Sequence, residues 1–310
     1  MLYGIAYLQF KLAMKRLRVL KRYEYYEMKN FARDFGISTP PDLRYWFSVL
    51  GWCAKAVDSI ADRLDFRGFR DDVFGLDQIY DQNNRDILFS SAMLGALISA
   101  CDFIYIGEDD NGFPRLQVID GGNATGILDQ STGLLTEGYA VLERDQLGNV
   151  IREAYFTPEY TAYYENGLLT ESRRNKAPHP LLVPVMYRPD ATRGHEFGHS
   201  RITRACMSIV GSALRTVKRS EISAEFYSFP QKWVTGVDQD VKLLDKWSAA
   251  MSAMMKFSLN KDGQDHVRLG QFDQQSMEPH AEQLKMFAAL FAGECDLTLD
   301  DLGFASGNPS

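Results

Sequence analysis

Five consecutive residues, His195-Glu196-Phe197-Gly198-His199, match the H-E-x-x-H pattern of zinc peptidases. Two histidines four positions apart share one face of an α-helix, so both rings could bind one zinc ion. The glutamate between them could then act as the general base towards a zinc-bound water. Taken alone, the motif predicts a metal-dependent hydrolase.

The residues around this motif predict a loop instead of a helix. Pro189, Gly194 and Gly198 lie in or beside it, and these residue types interrupt helices. The apolar spacing typical of a helix begins only near Ser200, which is a suitable N-cap residue. Outside a helix, the two histidines lose the fixed spacing that a zinc site requires.

A third zinc ligand is missing from the places where peptidase patterns would put it. One pattern requires Gly and His at the positions occupied by Ile202 and Ala205. Another uses a Glu about one helix later, but Glu221 and Glu225 continue the same predicted helix, about 30 Å along it. We therefore expect no metal, no cofactor and no enzymatic activity. A zinc metallopeptidase built on the H-E-x-x-H motif stays as an alternative.

The remaining sequence offers no other catalytic pattern. It contains no G-x-S-x-G elbow and no glycine-rich phosphate loop. Its four cysteines are widely spaced and form no C-x-x-C pair, which predicts reduced, buried thiols in a cytoplasmic protein. They are Cys53, Cys101, Cys206 and Cys295.

Charge and hydropathy limit the partners that the chain can have. The net charge of −7 argues against a sequence-specific DNA-binding protein, because such proteins usually carry a basic surface that neutralises phosphates. It does not exclude a channel through which DNA slides. No apolar run approaches the roughly 20 residues of a membrane helix. The basic residues follow the apolar start, which is the reverse of a signal peptide. We therefore expect no membrane partner.

Periodicity divides the first part of the chain into helices followed by strands. Helical spacing occurs at residues 8–29, 46–64 and 86–100. A hairpin with Asn111-Gly112 in its turn is predicted at residues 102–119, and strand patterns continue from residue 125 to residue 188. Helices followed by strands are typical of the α+β class.

The second part predicts a pair of helices with a small module between them. A long helix at residues 200–226 is followed by a strand–helix–strand pattern at residues 231–270 and by a last helix at residues 278–291. The two outer helices can run side by side in opposite directions, with the module at their tip. In the middle of the module, residues 240–257 are predicted to form one helix with Trp247 and Met251 on its apolar side.

The first of the two outer helices combines an apolar stripe with basic residues. We expect the stripe to pack partly against the last helix and partly against a neighbouring copy. The basic residues either contact DNA phosphates or an acidic face of a neighbour, or they form a solvated surface. The stripe consists of Ile202, Ile209, Ala213 and Val217, and the basic residues are Arg201, Arg204, Arg215, Lys218 and Arg219.

Several segments resemble the portal proteins of long-tailed bacteriophages. Residues 45–46, 56–64 and 67–70 are similar to the early helix and strand of that family, and residues 92–106 to its next helix and strand. Ala100-Cys101-Asp102 and Leu182 depart from the family pattern, where glycine is usual. The later matches are His179-Pro180-Leu181 with Val183-Pro184-Val185, Gly198-His199-Ser200-Arg201-Ile202, Glu225-Phe226, Pro230-Gln231-Lys232 with Gly236, and Leu302-Gly303 with Asn308-Pro309-Ser310.

The resemblance implies the α+β portal fold and its parts. The wing would be α/β and occupy residues 1–199, and the stem would be two helices at residues 200–228 and 276–293. A small αβ clip would occupy residues 229–275, and residues 294–310 would begin a tunnel loop, with the crown of the family absent. The residues implied to contact partners are Lys232, Trp233, Trp247 and Met251 in the clip and Asp300 and Asp301 in the tunnel loop.

The resemblance also implies a function. Portal proteins form a ring, usually of twelve copies, through which double-stranded DNA passes non-specifically during genome packaging and ejection. The implied partners are further copies of the chain, the terminase large subunit, head–tail connector proteins, and capsid or scaffold proteins. The implied locations are the bacterial host cytoplasm during assembly and the capsid vertex of the virion. A non-viral oligomeric scaffold stays as a second alternative.

Overall fold

The computed structural model describes residues 2–31, 45–71, 74–190, 194–228, 232–237, 254–258, 268–271 and 276–304. The chain forms two compact units. The first contains Met1–Asn30, Leu50–Met207 and Glu294–Leu297, and the second contains Phe31–Val49, Ser208–Gly293 and Thr298–Ser310. Each unit is therefore assembled from segments that are distant in the sequence.

Four helices belong to the first unit: α1 (Ile5–Tyr26), α2 (Trp52–Ala61), α3 (Leu76–Asp81) and α4 (Arg85–Ser99). The predicted helix at residues 46–64 is shorter than expected. Gly51 is its N-cap residue, and the backbone carbonyl of Gly51 accepts a hydrogen bond from the N–H of Lys55. The helix therefore begins only at Trp52. The apolar residues before Gly51 continue the spacing in the sequence but not in the structure.

Two antiparallel sheets complete the first unit. One has the strand order β2-β1-β8, formed by Cys101–Glu108 (β1), Pro114–Ile119 (β2) and Leu182–Met186 (β8). The predicted hairpin is confirmed, with Ile106 opposite Leu116. The other sheet is a five-stranded meander of β3 (Ala124–Leu128), β4 (Leu135–Arg144), β5 (Val150–Phe156), β6 (Tyr160–Glu165) and β7 (Leu168–Arg174).

The apolar core of this unit joins the two sheets. Phe103 of β1, Phe156 of β5 and Leu182 of β8 are almost fully buried in one cluster. A second cluster places Leu8 and Leu12 of α1 on Tyr139, Val141 and Tyr155 of the meander. Successive side chains along β4 and β5 point to opposite faces of the meander, and both faces are buried here, one in each cluster.

A buried carboxylate fixes the start of α1 on the meander. Glu137 of β4 is 1% exposed and accepts the backbone N–H groups of Tyr3 at 2.7 Å and Gly4 at 2.9 Å. It also accepts the hydroxyl of Tyr155 at 2.6 Å. Because Gly4 is the N-cap residue, a strand side chain satisfies helix donors that no local side chain caps.

The second unit contains most of two helices and one small sheet. The helices are α5 (Arg204–Ser228) and α6 (Glu278–Glu294), and the sheet has the order β10-β9-β11. In it, β9 (Lys232–Val237) pairs in parallel with β10 (Met254–Ser258) and antiparallel with β11 (Arg268–Gln271). A 3₁₀ turn follows at Asp300–Leu302.

The helix predicted at residues 240–257 is wrong in its last part. Met254–Ser258 is strand β10, because its backbone pairs with Lys232–Val237 in the small sheet. A short run rich in methionine and aromatic residues has no periodicity that separates a helix from a strand, which explains the error. The earlier part of that prediction, at residues 240–253, lies outside the described residues.

The α+β class is confirmed, since helices and largely antiparallel sheets occupy separate stretches of the chain. Within the described ranges, no helix combines the length and the apolar character that are needed to cross a membrane.

Candidate functional site

Helix α5 begins at Arg204, and its N-cap residue lies three positions after Ser200, where the cap was expected. The cap residue is Thr203, whose hydroxyl oxygen accepts the N–H of Cys206 at 3.1 Å and whose carbonyl accepts the N–H of Met207. Ser200 is instead buried and donates its hydroxyl to the carbonyl of Ile98 at 2.6 Å. Ser200, Arg201 and Ile202 therefore precede the helix.

Helices α5 and α6 lie side by side and antiparallel. Within the second unit, the Thr216 hydroxyl is 3.0 Å from the side-chain oxygen of Gln283. Further along, Ser223 Oγ is 3.5 Å from Nε2 of His280. Later residues of α5 therefore contact earlier residues of α6. This register confirms the expected antiparallel arrangement.

The apolar stripe predicted on the first helix is only partly buried in a single chain. Ala213 is fully buried, and Ile209 and Val217 are half-buried. Ile202 is buried as well, but it lies before the helix in the first unit. The half-buried positions still have apolar surface that another chain could cover.

Arg201 has partners within its own chain, and its predicted contact with DNA or a neighbouring chain stays a prediction. Its side chain is buried and donates to the backbone carbonyls of Ala56 at 3.3 Å and of Cys295, which follows α6. It also forms an ion pair with Asp296 at 3.4 Å. A guanidinium has five N–H donors, so it can bond several acceptors at once, among them the Cys295 carbonyl just after the end of α6.

The other predicted basic residues lie on α5 itself. Arg204 is exposed in the first turn, and Arg215, Lys218 and Arg219 are half-buried further along. Arg215 donates to the hydroxyl of Ser212 at 2.9 Å. Their contact with DNA or with a neighbouring chain stays a prediction.

The second helix of the pair carries apolar residues on its outer side. Met286 is 50% exposed and Leu290 is 54% exposed, and they lie four residues apart on α6. Side chains at this spacing are neighbours on one helix face. The sequence prediction for this helix placed its apolar stripe at Ala281, Leu284, Ala288 and Phe291, of which Ala288 and Phe291 are buried, and did not single out Met286 and Leu290.

The residues implied to contact other partners are placed only in part. Lys232 and Trp233 lie in strand β9, whereas Trp247 and Met251 lie outside the described residues. Asp300 and Asp301 are exposed in the 3₁₀ turn, where the Asp301 carboxylate accepts the N–H of Thr298 at 2.9 Å. The partner roles of these residues stay predictions.

The H-E-x-x-H residues are not helical. His195 lies in an isolated bridge with Asp190, and its carbonyl accepts the N–H of Gly198 at 2.8 Å. Gly198 has φ +86°, and a Cβ there would lie 2.2 Å from the carbonyl oxygen of Tyr187. The geometry that a helical H-E-x-x-H zinc site needs is therefore absent. Nowhere in the described ranges do three or more His, Cys, Asp or Glu residues form a group that could hold a metal ion.

A cavity of about 520 Å³ lies between α1 and this loop in the first unit. Lys15 lines it, with its ammonium 5.1 Å from the ring centre of Phe103 and 5.8 Å from that of Phe197. Desolvation by burial lowers the pKa of Lys15 to about 8. The amphipathic pattern of α1 indicated its basic residues. It could not show that Lys15 lies against the loop that contains Phe197.

Known proteins provide a separate comparison. No protein-family model matches the chain. The portal protein of Mycobacterium phage L5 is 23% identical over 308 residues, which cover 92% of this chain and 62% of that protein. The portal protein of Mycobacterium phage D29 is 26% identical over 229 residues, which cover 69% of this chain and 47% of that protein. The resemblance to phage portal proteins is confirmed.

The chain spans only part of these relatives, about three fifths of one and about half of the other. Among solved structures, the neck of an empty GTA particle, computed with C6 symmetry, gives a TM-score of 0.47 at 13% identity, with 92% of this chain and 76% of that chain covered. The neck of a native GTA particle, computed with C12 symmetry, gives 0.44 at 14% identity, with 96% and 76% covered.

Proposed function

We propose that the chain is a portal protein that assembles into a ring and forms a conduit for double-stranded DNA at the capsid vertex. The observation that carries the proposal is the antiparallel pairing of α5 and α6, together with the similarity to two phage portal proteins. The role is mechanical and uses no catalytic residue or cofactor. The wing, stem and clip would occupy the residue ranges given for them above.

The helix pair has the chemistry of a ring interface. A closed ring needs a heterologous contact, in which one face of each copy meets a different face of the next. On α5 the half-buried residues Ile209 and Val217 leave apolar surface uncovered, and on α6 Met286 and Leu290 are half exposed. We propose that the α6 face of one copy covers the α5 face of its neighbour.

The charge of the chain fits a channel that lets DNA slide. Tight binding to phosphates would oppose movement, because affinity for DNA grows with the number of neutralised phosphates. The net charge of −7 keeps such binding weak, while the basic residues of α5 supply local contacts. The proposed contacts are Arg204, Arg215, Lys218 and Arg219.

The proposed partners follow from the proposed role. Further copies of the chain, twelve in the complete ring, would form the conduit. The terminase large subunit would dock during packaging, and head–tail connector proteins and capsid or scaffold proteins would contact the assembled ring. Assembly would take place in the cytoplasm of the bacterial host, and the finished ring would belong to the virion.

Electron microscopy and native mass spectrometry of the purified chain test this proposal. We expect closed rings with a central channel wide enough for a DNA duplex, and a mass equal to a whole number of copies. A double variant, Met286→Glu with Leu290→Glu, places two charges on the proposed interface and is expected to shift the rings to monomers. The exposed Lys285 beside Met286, changed to Glu, serves as the matched control and should leave the rings intact.

Circular dichroism of the monomeric variant shows whether its fold is preserved. A wild-type chain that stays monomeric even at high micromolar concentrations would contradict the ring. Assemblies without a central channel would instead support the oligomeric scaffold. Rings that tolerate both charges would show that the proposed α6 face is not the interface.

A further inference from the structure

Two cysteines that are distant in the sequence meet where α5 begins and α6 ends. The sulfur atoms of Cys206 and Cys295 are 3.2 Å apart, and each residue is 1% exposed. Both are free thiols, and both belong to the first unit. A disulfide bond requires a sulfur–sulfur distance of about 2.05 Å, so the two atoms need to approach by only about 1 Å.

The surroundings of Cys206 favour its thiolate. The residue lies in the first turn of α5, where unpaired backbone N–H groups and the helix dipole stabilise negative charge. Cys295 lies within hydrogen-bond distance, and the Thr203 hydroxyl donates to the Cys206 sulfur at 3.2 Å. The hydrogen bond with Cys295 lowers the pKa of the Cys206 thiol below its ordinary value.

Two charged side chains beside the pair, Arg201 and Glu294, act in opposite directions. The hydrogen bond with Cys206 and burial raise the pKa of the Cys295 thiol, and the positive charge of Arg201, which donates to the Cys295 carbonyl, opposes this rise. The Glu294 carboxylate disfavours a thiolate at Cys206, and it lies 3.2 Å from the Thr203 hydroxyl as an alternative acceptor to the Cys206 sulfur. The thiolate is the form of cysteine that reacts with a peroxide, so the lowered pKa of Cys206 makes it the attacking residue of the pair.

From this geometry we infer that Cys206 and Cys295 are a redox-active dithiol, which a hydroperoxide converts to a disulfide that joins the start of α5 to the end of α6. This inference goes beyond the proposed conduit and is independent of ring formation.

The reaction balances with the hydroperoxide as the oxidant. The Cys206 thiolate attacks one oxygen of hydrogen peroxide, breaks the O–O bond, and becomes a sulfenic acid while hydroxide leaves. The Cys295 sulfur then attacks the Cys206 sulfur, gives up its proton, and displaces water. In total, two thiols and one peroxide give one disulfide and two waters. Hydrogen peroxide is small, so it is a better oxidant for buried sulfur atoms than a larger disulfide compound.

Cys53 is the natural competitor. It is buried and close enough to interact electrostatically with both sulfur atoms. Burial raises the pKa of its thiol, whereas the hydrogen bond with Cys295 favours the thiolate of Cys206. Cys101 is also buried with a raised pKa, and lies in strand β1. We therefore expect neither Cys53 nor Cys101 to be oxidised first.

Peptide mapping of the intact chain tests the inference without any substitution. The purified protein is treated with a small excess of hydrogen peroxide, quenched with catalase, denatured and alkylated with iodoacetamide. We expect a loss of two hydrogen masses, two alkylated cysteines instead of four, and one digestion product that joins the Cys206 and Cys295 peptides. Dithiothreitol should restore four alkylation sites.

A thermal measurement and two variants complete the test. The crosslink is expected to raise the melting temperature by about 5 °C, because a disulfide across a long loop restricts the unfolded chain. Cys53→Ser should still form the crosslink. Cys295→Ser should instead accumulate a sulfenic acid at position 206, which dimedone labels.

Three outcomes would overturn the inference. They are four alkylated cysteines after peroxide treatment, a crosslink that includes Cys53 or Cys101, and sulfinic acid at Cys206 in place of a disulfide. Each is read from the wild-type chain, so a variant that fails to fold does not affect the conclusion.

Discussion

Thr216 of α5 donates its hydroxyl proton to the side-chain oxygen of Gln283 on α6, across 3.0 Å. Thr216 is almost fully buried, so its hydroxyl has lost the water that would otherwise bond to it. Without Gln283, the hydroxyl can turn to the carbonyl of Ser212 at 3.3 Å, so the bond between the helices contributes about 1 kcal/mol. This hydrogen bond therefore favours one register of the antiparallel pair over registers shifted by a residue or more.

A double-mutant cycle measures this contribution. We expect Thr216→Val and Gln283→Leu to be coupled by about 1 kcal/mol in the free energy of unfolding, measured by urea denaturation. The longer contact between Ser223 and His280, at 3.5 Å, provides the control and should show weaker coupling. Additive effects at the first pair would show that the register is set by apolar packing alone.

Arg201 and Arg204 are near neighbours in the sequence but differ completely in environment. Arg201 is 9% exposed and donates to the backbone carbonyls of Ala56 and Cys295, whereas Arg204 is exposed in the first turn of α5. We expect Arg201→Met to lower the free energy of unfolding by about 1–3 kcal/mol, because the buried carbonyl of Cys295 loses its donor, whereas the Ala56 carbonyl keeps the Ser59 hydroxyl. Arg204→Met should change it by less than about 0.5 kcal/mol. Similar effects of both substitutions would show that the Cys295 carbonyl finds another donor.

The contrast between these two arginines shows what the sequence could predict. The apolar spacing predicted α5, α6 and their antiparallel pairing, since both helices need a partner for one face. It could not locate the first residue of α5, because Ser200 and Thr203 are both good cap residues and only tertiary contacts decide between them. That shift of three positions moved Arg201 and Ile202 from the predicted helix to the segment before it, where both are buried.

Contacts between distant segments were the least predictable part of the site. Cys206 and Cys295 are 89 residues apart, and their spacing in the sequence indicated only isolated thiols. Strand β10 was missed for a related reason, since pairing with Lys232–Val237 overrides the local preference of Met254–Ser258. The loop at the H-E-x-x-H residues was predicted correctly, because glycine and proline act locally.

Glu137 connects the start of α1 to the meander and should be sensitive to a neutral substitution. Its carboxylate accepts three hydrogen bonds, from the N–H groups of Tyr3 and Gly4 and from the hydroxyl of Tyr155. Both oxygens of the carboxylate accept hydrogen bonds. In Glu137→Gln one of them becomes an NH₂ group, which would face a backbone N–H of Tyr3 or Gly4 instead of accepting from it. We expect a loss of about 2–4 kcal/mol in the free energy of unfolding.

The exposed Glu143 on the same strand, changed to Gln, is the matched control and should cost less than about 0.5 kcal/mol. Hydrogen exchange adds a local measurement, because α1 should lose protection in the Glu137→Gln variant before the rest of the meander does. Unchanged protection in α1 would mean that the apolar contacts of Leu8 and Leu12 are sufficient to hold the helix.

Asp102 makes stability depend on pH in the direction opposite to most carboxylates. It is 3% exposed, and burial raises its pKa to about 7, although hydrogen bonds from Ser99 and Gly121 oppose the shift. Because the folded protein holds this proton more tightly than the unfolded chain, whose value is near 3.8, its contribution to stability is fully present below about pH 4. That contribution is lost as pH rises to about 7.

Asp102→Asn isolates this effect, because Ser99 and Gly121 both donate to Oδ1, which the amide retains. Between about pH 4 and pH 7, we expect the free energy of unfolding of the wild type to fall relative to the variant by up to about 4 kcal/mol. Denaturation at a series of pH values measures the difference, and the exposed Asp110→Asn should show none. Lys15 is close enough to interact with Asp102, but its lowered pKa of about 8 places its own titration above this window. A constant difference across the window would mean that Asp102 stays ionised in the folded protein, with Lys15 near enough to stabilise the charge.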